Sequence, residues 1–240
     1  MKEKTAAITN LTPPGTSCSG CPAFKACVAA RLCGHDTALL GRVVTRRRLR
    51  RKGEMLYCVG DPLRTLHVVQ AGSIRTGMST CEGDVQVLGF HVPGDILGID
   101  AIGENSHPSD ATAIEASVVC ELPYPLLEKQ MRATPPLQRE FLRLLSGEIA
   151  REKELMCVLG QRNADSRLAT CLLNLSERYG RADTRAGRLT LAMSRQDLGN
   201  HLGLAMETIS RLFTRFQEEG LLSVAGRRVQ LLDYPRLRAL

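Results

Sequence analysis

SRQDLGNHLGLAMETISRLFTRFQEEG, residues Ser194 to Gly220, reads as two helices joined by a tight turn. Ser194 can cap the first helix, and Asp197 three residues on completes a capping-box pattern. Leu198 and Leu202 share one face at i,i+4 spacing. Gly203 permits a sharp turn, and a second helix is predicted from about Met206 to Glu219, with Gly220 as its left-handed stop. The apolar stripe Ile209, Leu212, Phe213 and Phe216 faces inward. Glu207, Ser210, Arg211 and Arg215 lie opposite. A helix packed on one face and bearing Arg on the other suits the DNA major groove, as in a helix-turn-helix. The competing reading is a plain helical hairpin with a solvated charged face. It loses ground downstream, where Leu221-Leu222-Ser223-Val224, a turn at Ala225-Gly226-Arg227-Arg228, and Val229-Gln230-Leu231 form a β-hairpin signal. Helix-turn-helix plus basic hairpin predicts a winged helix, with Arg227 and Arg228 approaching phosphate.

The remaining composition bounds the rest of the reading. At 240 residues the chain is long enough for two domains with cores of their own. Its net charge is +7. Residues 161–240 hold 13 Lys+Arg against 8 Asp+Glu, and residues 1–160 hold 19 against 17. The excess therefore sits with the DNA-binding signal, as an electrostatic footprint should. No stretch approaches the roughly 18 apolar residues of a membrane span, and the first residues lack the apolar core of a signal peptide. A cytoplasmic protein with no membrane partner is expected. Nine cysteines in a reducing compartment point to metal or redox groups rather than structural disulfides.

Residues 1–17, with Pro13-Pro14-Gly15, read as a flexible lead. Cys18-x2-Cys21-x5-Cys27 follows, then Cys33. Short loops can hold three thiolates on one concave side, around zinc or an iron–sulfur centre, and the spacing alone does not separate the two. Unrelated small buried residues are the plainer alternative. From about Leu39 to Leu127, short apolar runs alternate with Gly, Asp and Pro breaks, a β-roll or jelly-roll pattern. The run from Arg46 to Lys52 is read as a solvated strand or turn face rather than a nucleic-acid patch. His35, His67, His91, His107 and His201 show no ligand spacing. After Pro135-Pro136 a long helix is predicted to about Gly160. Leu142, Leu145, Ile149, Glu152, Met156 and Leu159 recur on it in steps of three and four, a coiled-coil seam. An amphipathic helix from Asn163 to Tyr179 buries Leu168, Leu172 and Leu175.

The string Leu189–Leu212, LTLAMSRQDLGNHLGLAMETISRL, resembles the DNA-binding end of the CRP/FNR regulators, and its Glu207-Thr208-Ile209-Ser210-Arg211 core resembles the FNR branch. The resemblance runs from Cys18 to about Leu231. It implies that Glu207 and Arg211 read a G·C pair and that Ser210 contacts a neighbouring base, on a double-stranded palindrome with TTGAT-like half-sites. The chemistry agrees: Arg is bidentate to guanine, and Glu accepts from cytosine. It further implies an oxygen-labile 4Fe–4S cluster on Cys18, Cys21, Cys27 and Cys120, the last within Ser117–Pro123. Cys33, Cys58, Cys81, Cys157 and Cys171 have no counterpart among ligands and are expected to pack. The segment Phe90–Gly103, FHVPGDILGIDAIG, resembles the FNR form of the cyclic-nucleotide-binding roll. Asp110-Ala111 stands where the CRP branch places a phosphate-clasping Arg-Ser pair, and Ile99 where it places a ribose-binding Glu, so no cyclic nucleotide is expected.

The resemblance also implies a homodimer through the long helix, with Ile149, Glu152 and Met156 as its switch, and contact with RNA polymerase. Glu152 would face its own copy across a two-fold axis, where paired carboxylates oppose association. The expected fold is α+β: a cysteine-rich arm (1–34), a β-roll sensor (35–135), a dimerisation helix (136–162) and a winged-helix domain (163–240). Two alternatives remain. One is the same regulator with a zinc site or thiol switch in place of the cluster. The other is a redox enzyme using the cysteines, against which no nucleotide loop, nucleophile–base pair or second cluster motif is found.

Overall fold

Gly, Pro and Asp punctuation breaks the central third of the chain into strands too short to do anything but pair with one another. The computed structural model describes residues 18–21, 23–34, 36–79, 85–161, 163–180 and 187–240. The Pro13-Pro14-Gly15 lead, Pro22, His35, Cys81 and the turn at Glu82-Gly83-Asp84 lie outside the described residues.

Helices α1 (Val28–Leu32) and α2 (Thr37–Val43) lead into eight strands. These are β1 (Arg46–Arg50), β2 (Met55–Tyr57), β3 (Thr65–Ala71), β4 (Ile74–Ser79), β5 (Val85–His91), β6 (Ile96–Leu97), β7 (Asp110–Ala113) and β8 (Ser117–Pro123). They form two antiparallel sheets in the orders β1-β8-β3-β6 and β2-β7-β4-β5. Strand alternation sends successive side chains to opposite faces. Val69, Ile74, Leu97, Ala111, Ala113 and Val119 therefore fill the space within the roll. Leu66, Val68, Cys120 and Leu122 point to the outer face, where α1, α2, α3 (Tyr124–Ala133) and the start of α4 (Pro135–Gln161) cover them. Helix α4 starts two residues earlier than the sequence reading, because proline is tolerated in a first turn whose N–H groups have no helical partner.

Beyond α4 come α5 (Ala164–Gly180), β9 (Arg188–Thr190), α6 (Arg195–Leu202), α7 (Met206–Glu218), β10 (Leu222–Ala225), β11 (Arg228–Leu231) and α8 (Tyr234–Ala239). Leu168, Leu172, Leu198, Leu202, Ile209, Phe213 and Phe216 form one core under the helix-turn-helix. Truncating any of these leucines to Ala should cost about 2–5 kcal/mol. Strands β10 and β11 form the expected hairpin, and β9 extends it to a third strand.

The winged helix is tied to the roll at several points. Asn200 of α6 accepts from Val87 N at 2.5 Å and donates to Val85 O at 2.9 Å. Arg75 of β4 pairs with Asp197 at 2.7 Å. Arg178 of α5 donates to Phe90 O and to Asp95.

Candidate DNA-reading face and cysteine pocket

The reading helix is built as its sequence dictates. Ser194 Oγ accepts from Asp197 N at 3.0 Å, and Asp197 accepts from Ser194 N at 3.0 Å, a complete capping box. Gly203 takes the left-handed conformation at φ 62°, which bends the chain from α6 to α7. Gly199, not singled out by sequence, is equally required: a Cβ there would stand 2.5 Å from Leu204 O. Ile209, Leu212, Phe213 and Phe216 are buried, which turns Glu207, Ser210 and Arg211 to the exposed face of α7. Ser210 Oγ donates to Met206 O at 3.0 Å. Arg215 departs from the sequence reading. It is not free on the outer face but pairs with Asp165 of α5, tying α7 to the domain's first helix. On the wing, Arg227 and Arg228 are both exposed, and Arg227 donates to Ala192 O at 2.6 Å.

The cysteine arm lies against the outer face of the roll. Cys18, Cys27 and Cys33 share one apolar cluster with Cys120. Cys120 pairs in register with Val68, and Gln70 follows on β3 at the bulge between Val69 and Ala71. Gln70 Nε2 donates to Cys21 Sγ at 3.4 Å, and its buried Oε1 has no partner among the described residues. The four thiols of the sequence reading are thus gathered on one side of the roll, and soft sulfur donors in an apolar pocket suit an iron–sulfur or zinc centre. Among the described residues, however, no three His, Cys, Asp or Glu side chains converge closely enough to hold a metal ion. Burial pushes the Cys27 thiol up, and the neighbouring Cys21 and Cys18 push the same way. Burial carries Cys33 up to about 12. The arm is also fixed by its backbone. Val28 N donates to Gly94 O at 3.0 Å, and a Cβ at Gly94 (φ +102°) would lie 2.6 Å from Ala26 O.

Two of the remaining cysteines do not pack as expected. Cys58 and Cys157 are exposed, whereas Cys33 is buried and Cys171 is partly so, its thiol pushed up to about 12 by burial. Histidines serve as packing groups: the His107 ring stacks on Tyr57 at 3.7 Å between centroids, and His67 stacks on the same ring at 6.0 Å.

On α4, Leu142 (58% exposed), Ile149 (54%) and Met156 (71%) stand in a line on the outer face, and Glu152 between them is exposed. Leu145 packs instead against the roll's outer core, and Leu159 is half-buried, so the seam is narrower than its spacing suggested. The inner face of α4 meets the roll and α5 around a cavity of about 240 Å³. Of its charged lining residues, Glu148 pairs with Arg151 and Asp95 with Arg178, and Glu152 and Glu154 also border it. Ile99 lines it, and Asp110 Oδ1 accepts from Val59 N at 2.7 Å, bracing a loop.

A β-roll joined through a long helix to a winged helix-turn-helix defines a DNA-binding regulator. Residues 47–134 match the family described as "Cyclic nucleotide-binding domain", and residues 166–240 match "Crp-like helix-turn-helix domain". The chain is 39% identical over 227 residues to "Transcriptional activator protein anr" of Pseudomonas aeruginosa, covering 95% of this chain and 93% of that one. It is 38% identical over 214 residues to "Fumarate and nitrate reduction regulatory protein" of Escherichia coli K12, covering 89% and 86%. Among solved structures it resembles FixK2 from Bradyrhizobium japonicum, with 32% identity, a TM-score of 0.75 and coverage of 82% and 97%. The chain belongs to the CRP/FNR family of transcription regulators, on its FNR-type branch. No described helix is long and apolar enough to cross a membrane.

Proposed function

We propose that this protein is a cytoplasmic, oxygen-responsive transcription regulator that dimerises through α4 and reads a TTGAT-like palindrome. The observation that carries the reading is the Gln70–Cys21 contact. It brings the cysteine arm to the sheet face that holds Cys120, while Glu207, Ser210 and Arg211 face outward at the far end of the chain. Cys18, Cys21, Cys27 and Cys120 would hold a 4Fe–4S cluster, which supplies an oxygen-labile covalent tie between arm and roll. The chain's own residues do the rest. Val28 and Gly94 dock the arm, and the roll buries Cys120 and partly covers the arm's thiols. The line Leu142–Ile149–Met156 would bury against its copy, with Glu152 keeping that association weak. Arg211 would donate to guanine and Glu207 accept from cytosine. Asp110 is committed to Val59 and would repel a phosphate where a cyclic nucleotide needs a cation, so no cyclic nucleotide is expected to act here. Contact with RNA polymerase completes the reading.

The test is an anaerobic optical spectrum with iron and sulfide content, before and after admitting air, alongside binding to a palindromic duplex. A brown chromophore with near-equal iron and sulfide that bleaches in air, with loss of DNA binding, is expected. A colourless protein from cluster-competent cells, with zinc or no metal, would remove the signal and leave a zinc site or thiol switch in its place.

A further inference from the structure

We infer that Gln70 is a positioning residue for the cysteine centre: its side-chain amide holds the Cys21 sulfur and, by donating to it, slows the oxidation of a bound 4Fe–4S cluster by dioxygen. This rests on the cluster reading above and adds to it a residue of the roll that is not a ligand.

Gln70 sits where β3 departs from regular pairing. Val69 pairs with Val119 and Ala71 with the adjacent Val118, so Gln70 is the extra residue of a β-bulge. A bulge re-aims a side chain away from the strand's alternation, and here the amide reaches the arm, with Nε2 3.4 Å from Cys21 Sγ. Gln70 is only 7% exposed, and Oε1 has no partner among the described residues. Burying an amide with half of its hydrogen-bonding capacity unmet is costly. An apolar side chain of similar volume would fill the same space without that cost. Among the described residues the amide has the Cys21 sulfur as its partner and no other, so its chemistry lies there.

The contact closes a ring. Val28 N, one residue past Cys27, donates to Gly94 O at 3.0 Å, Gly94 N donates to Val69 O at 2.8 Å, and Val69 immediately precedes Gln70. Cys21 N donates to Cys18 O at 3.1 Å, and Cys21 O accepts from Phe24 N at 3.0 Å, which fixes the backbone on both sides of the sulfur. Beyond the bulge, Gly72 (φ +79°) passes so close to β8 that a Cβ would stand 2.3 Å from Ser117 Oγ. Donor and acceptor are each held by their own backbone, so the N–H···S contact needs little further ordering.

A sulfur bound to iron has given up its proton and can only accept. An N–H donated to it is charge-assisted and stabilises the more negative state of the centre, which is how hydrogen bonds to sulfur set cluster potentials. In the transfer of one electron to dioxygen, which becomes superoxide, negative charge leaves the sulfurs and this hydrogen bond weakens. Cys21 keeps its bond to iron and Gln70 its proton. The contact with Gln70 therefore opposes that electron transfer.

The experiment compares the full-length, cluster-loaded protein with its Gln70→Met and Gln70→Lys variants, all prepared anaerobically. Met fills the space without a donor, and Lys keeps an N–H donor. Visible absorbance is followed after mixing with air-saturated buffer, and the Fe–S stretching bands are read by resonance Raman spectroscopy in H2O and D2O. All three should carry equal iron per protomer. Gln70→Met should bleach roughly 10-fold faster, the usual scale for losing the partner of a metal ligand, and Gln70→Lys no faster than the unmodified protein. The bands of the unmodified protein should shift in D2O and those of Gln70→Met should shift less, a signature that packing alone would not move. Gln138→Met, an exposed change on α4, should alter neither readout. An unchanged bleaching rate in Gln70→Met, a Gln70→Lys protein that bleaches as fast as Gln70→Met, or an equal D2O shift in all of them would overturn the inference. So would a folded Gln70→Met protein that takes up no iron, which would make Gln70 a residue of assembly instead. An unmodified protein without iron–sulfur bands would overturn the cluster reading beneath it.

Discussion

Asn200 holds Val87 by its backbone: the side-chain amide of α6 takes the N–H of Val87 at 2.5 Å and returns a hydrogen bond to Val85 O at 2.9 Å. One side chain thus caps two backbone groups of strand β5 and joins the winged helix to the β-roll. Asn200→Ala leaves a strand N–H without its partner and should cost about 1–3 kcal/mol. Calorimetry should show a single unfolding transition divide into two, the winged helix melting apart from the roll.

Arg211 and Arg215 stand four residues apart on α7 in different surroundings, Arg211 exposed and Arg215 paired with Asp165. Arg211→Ala or Glu207→Ala should relax preference for the G·C pair by about 1–3 kcal/mol without moving the melting temperature. Arg215→Ala breaks the pair with Asp165 and should lower the melting temperature while leaving base preference intact. Competition binding on single-base variants of the palindrome, with thermal melts, separates the two.

Glu152→Ala should dimerise and bind DNA in air, because the exposed line Leu142–Ile149–Met156 then associates without opposed carboxylates. Ile149→Glu should remain monomeric even when cluster-loaded. Analytical ultracentrifugation reads both, and a monomeric Glu152→Ala protein would show that the carboxylate is not the restraint.

Replacing Cys18, Cys21, Cys27 or Cys120 singly by Ser should abolish the anaerobic chromophore. Cys33→Ser should keep it, since Cys33 falls outside the Cys18-x2-Cys21-x5-Cys27 spacing and has no counterpart among the ligands that the family resemblance implies. Iron per protomer is the readout.

His91 sets an acid limit on stability. Burial lowers it to about 4; Arg178, Arg151 and His201 act in the same direction, and Asp95 opposes them. The unfolded chain binds a proton near pH 6.5 that the folded chain refuses until about pH 4. Stability is therefore full above pH 6.5 and falls as pH drops through that window, by about 3 kcal/mol from this residue. His91→Gln, which can keep a hydrogen bond to Thr76, should flatten this fall in urea unfolding between pH 7 and 5.

The winged helix was readable because its signals are local. A capping box, a glycine turn, an i,i+3/i+4 apolar stripe and a basic hairpin each lie within a few residues, and Ser194, Gly203, Phe216 and Gly220 behave as their spacing predicts. What escaped was decided at a distance. Arg215 has the spacing of a groove-facing residue, yet Asp165, fifty positions earlier, claims it. Leu145 keeps the seam's rhythm, but the roll absorbs it. Helices α1, α2 and α8 are too short for periodicity to declare, and with α3 they rest largely on contacts with the roll, one another or α5. The placement of Cys21 against Gln70 depends on a strand far along the chain, and no spacing rule reaches it.

The turn Pro93-Gly94-Asp95 touches the cysteine arm through Gly94 and helix α5 through Asp95 and Arg178. Its two neighbours therefore cannot be exchanged independently. A chimaera that grafts this arm onto another regulator's roll needs a residue without a side chain at the position of Gly94, since a Cβ there would lie 2.6 Å from Ala26 O. One that grafts another reading head must import a cation at position 178 to meet Asp95. Mixed regulators assembled by cutting in the interdomain linkers should recover function only when this three-residue corner travels with both parents' matching contacts.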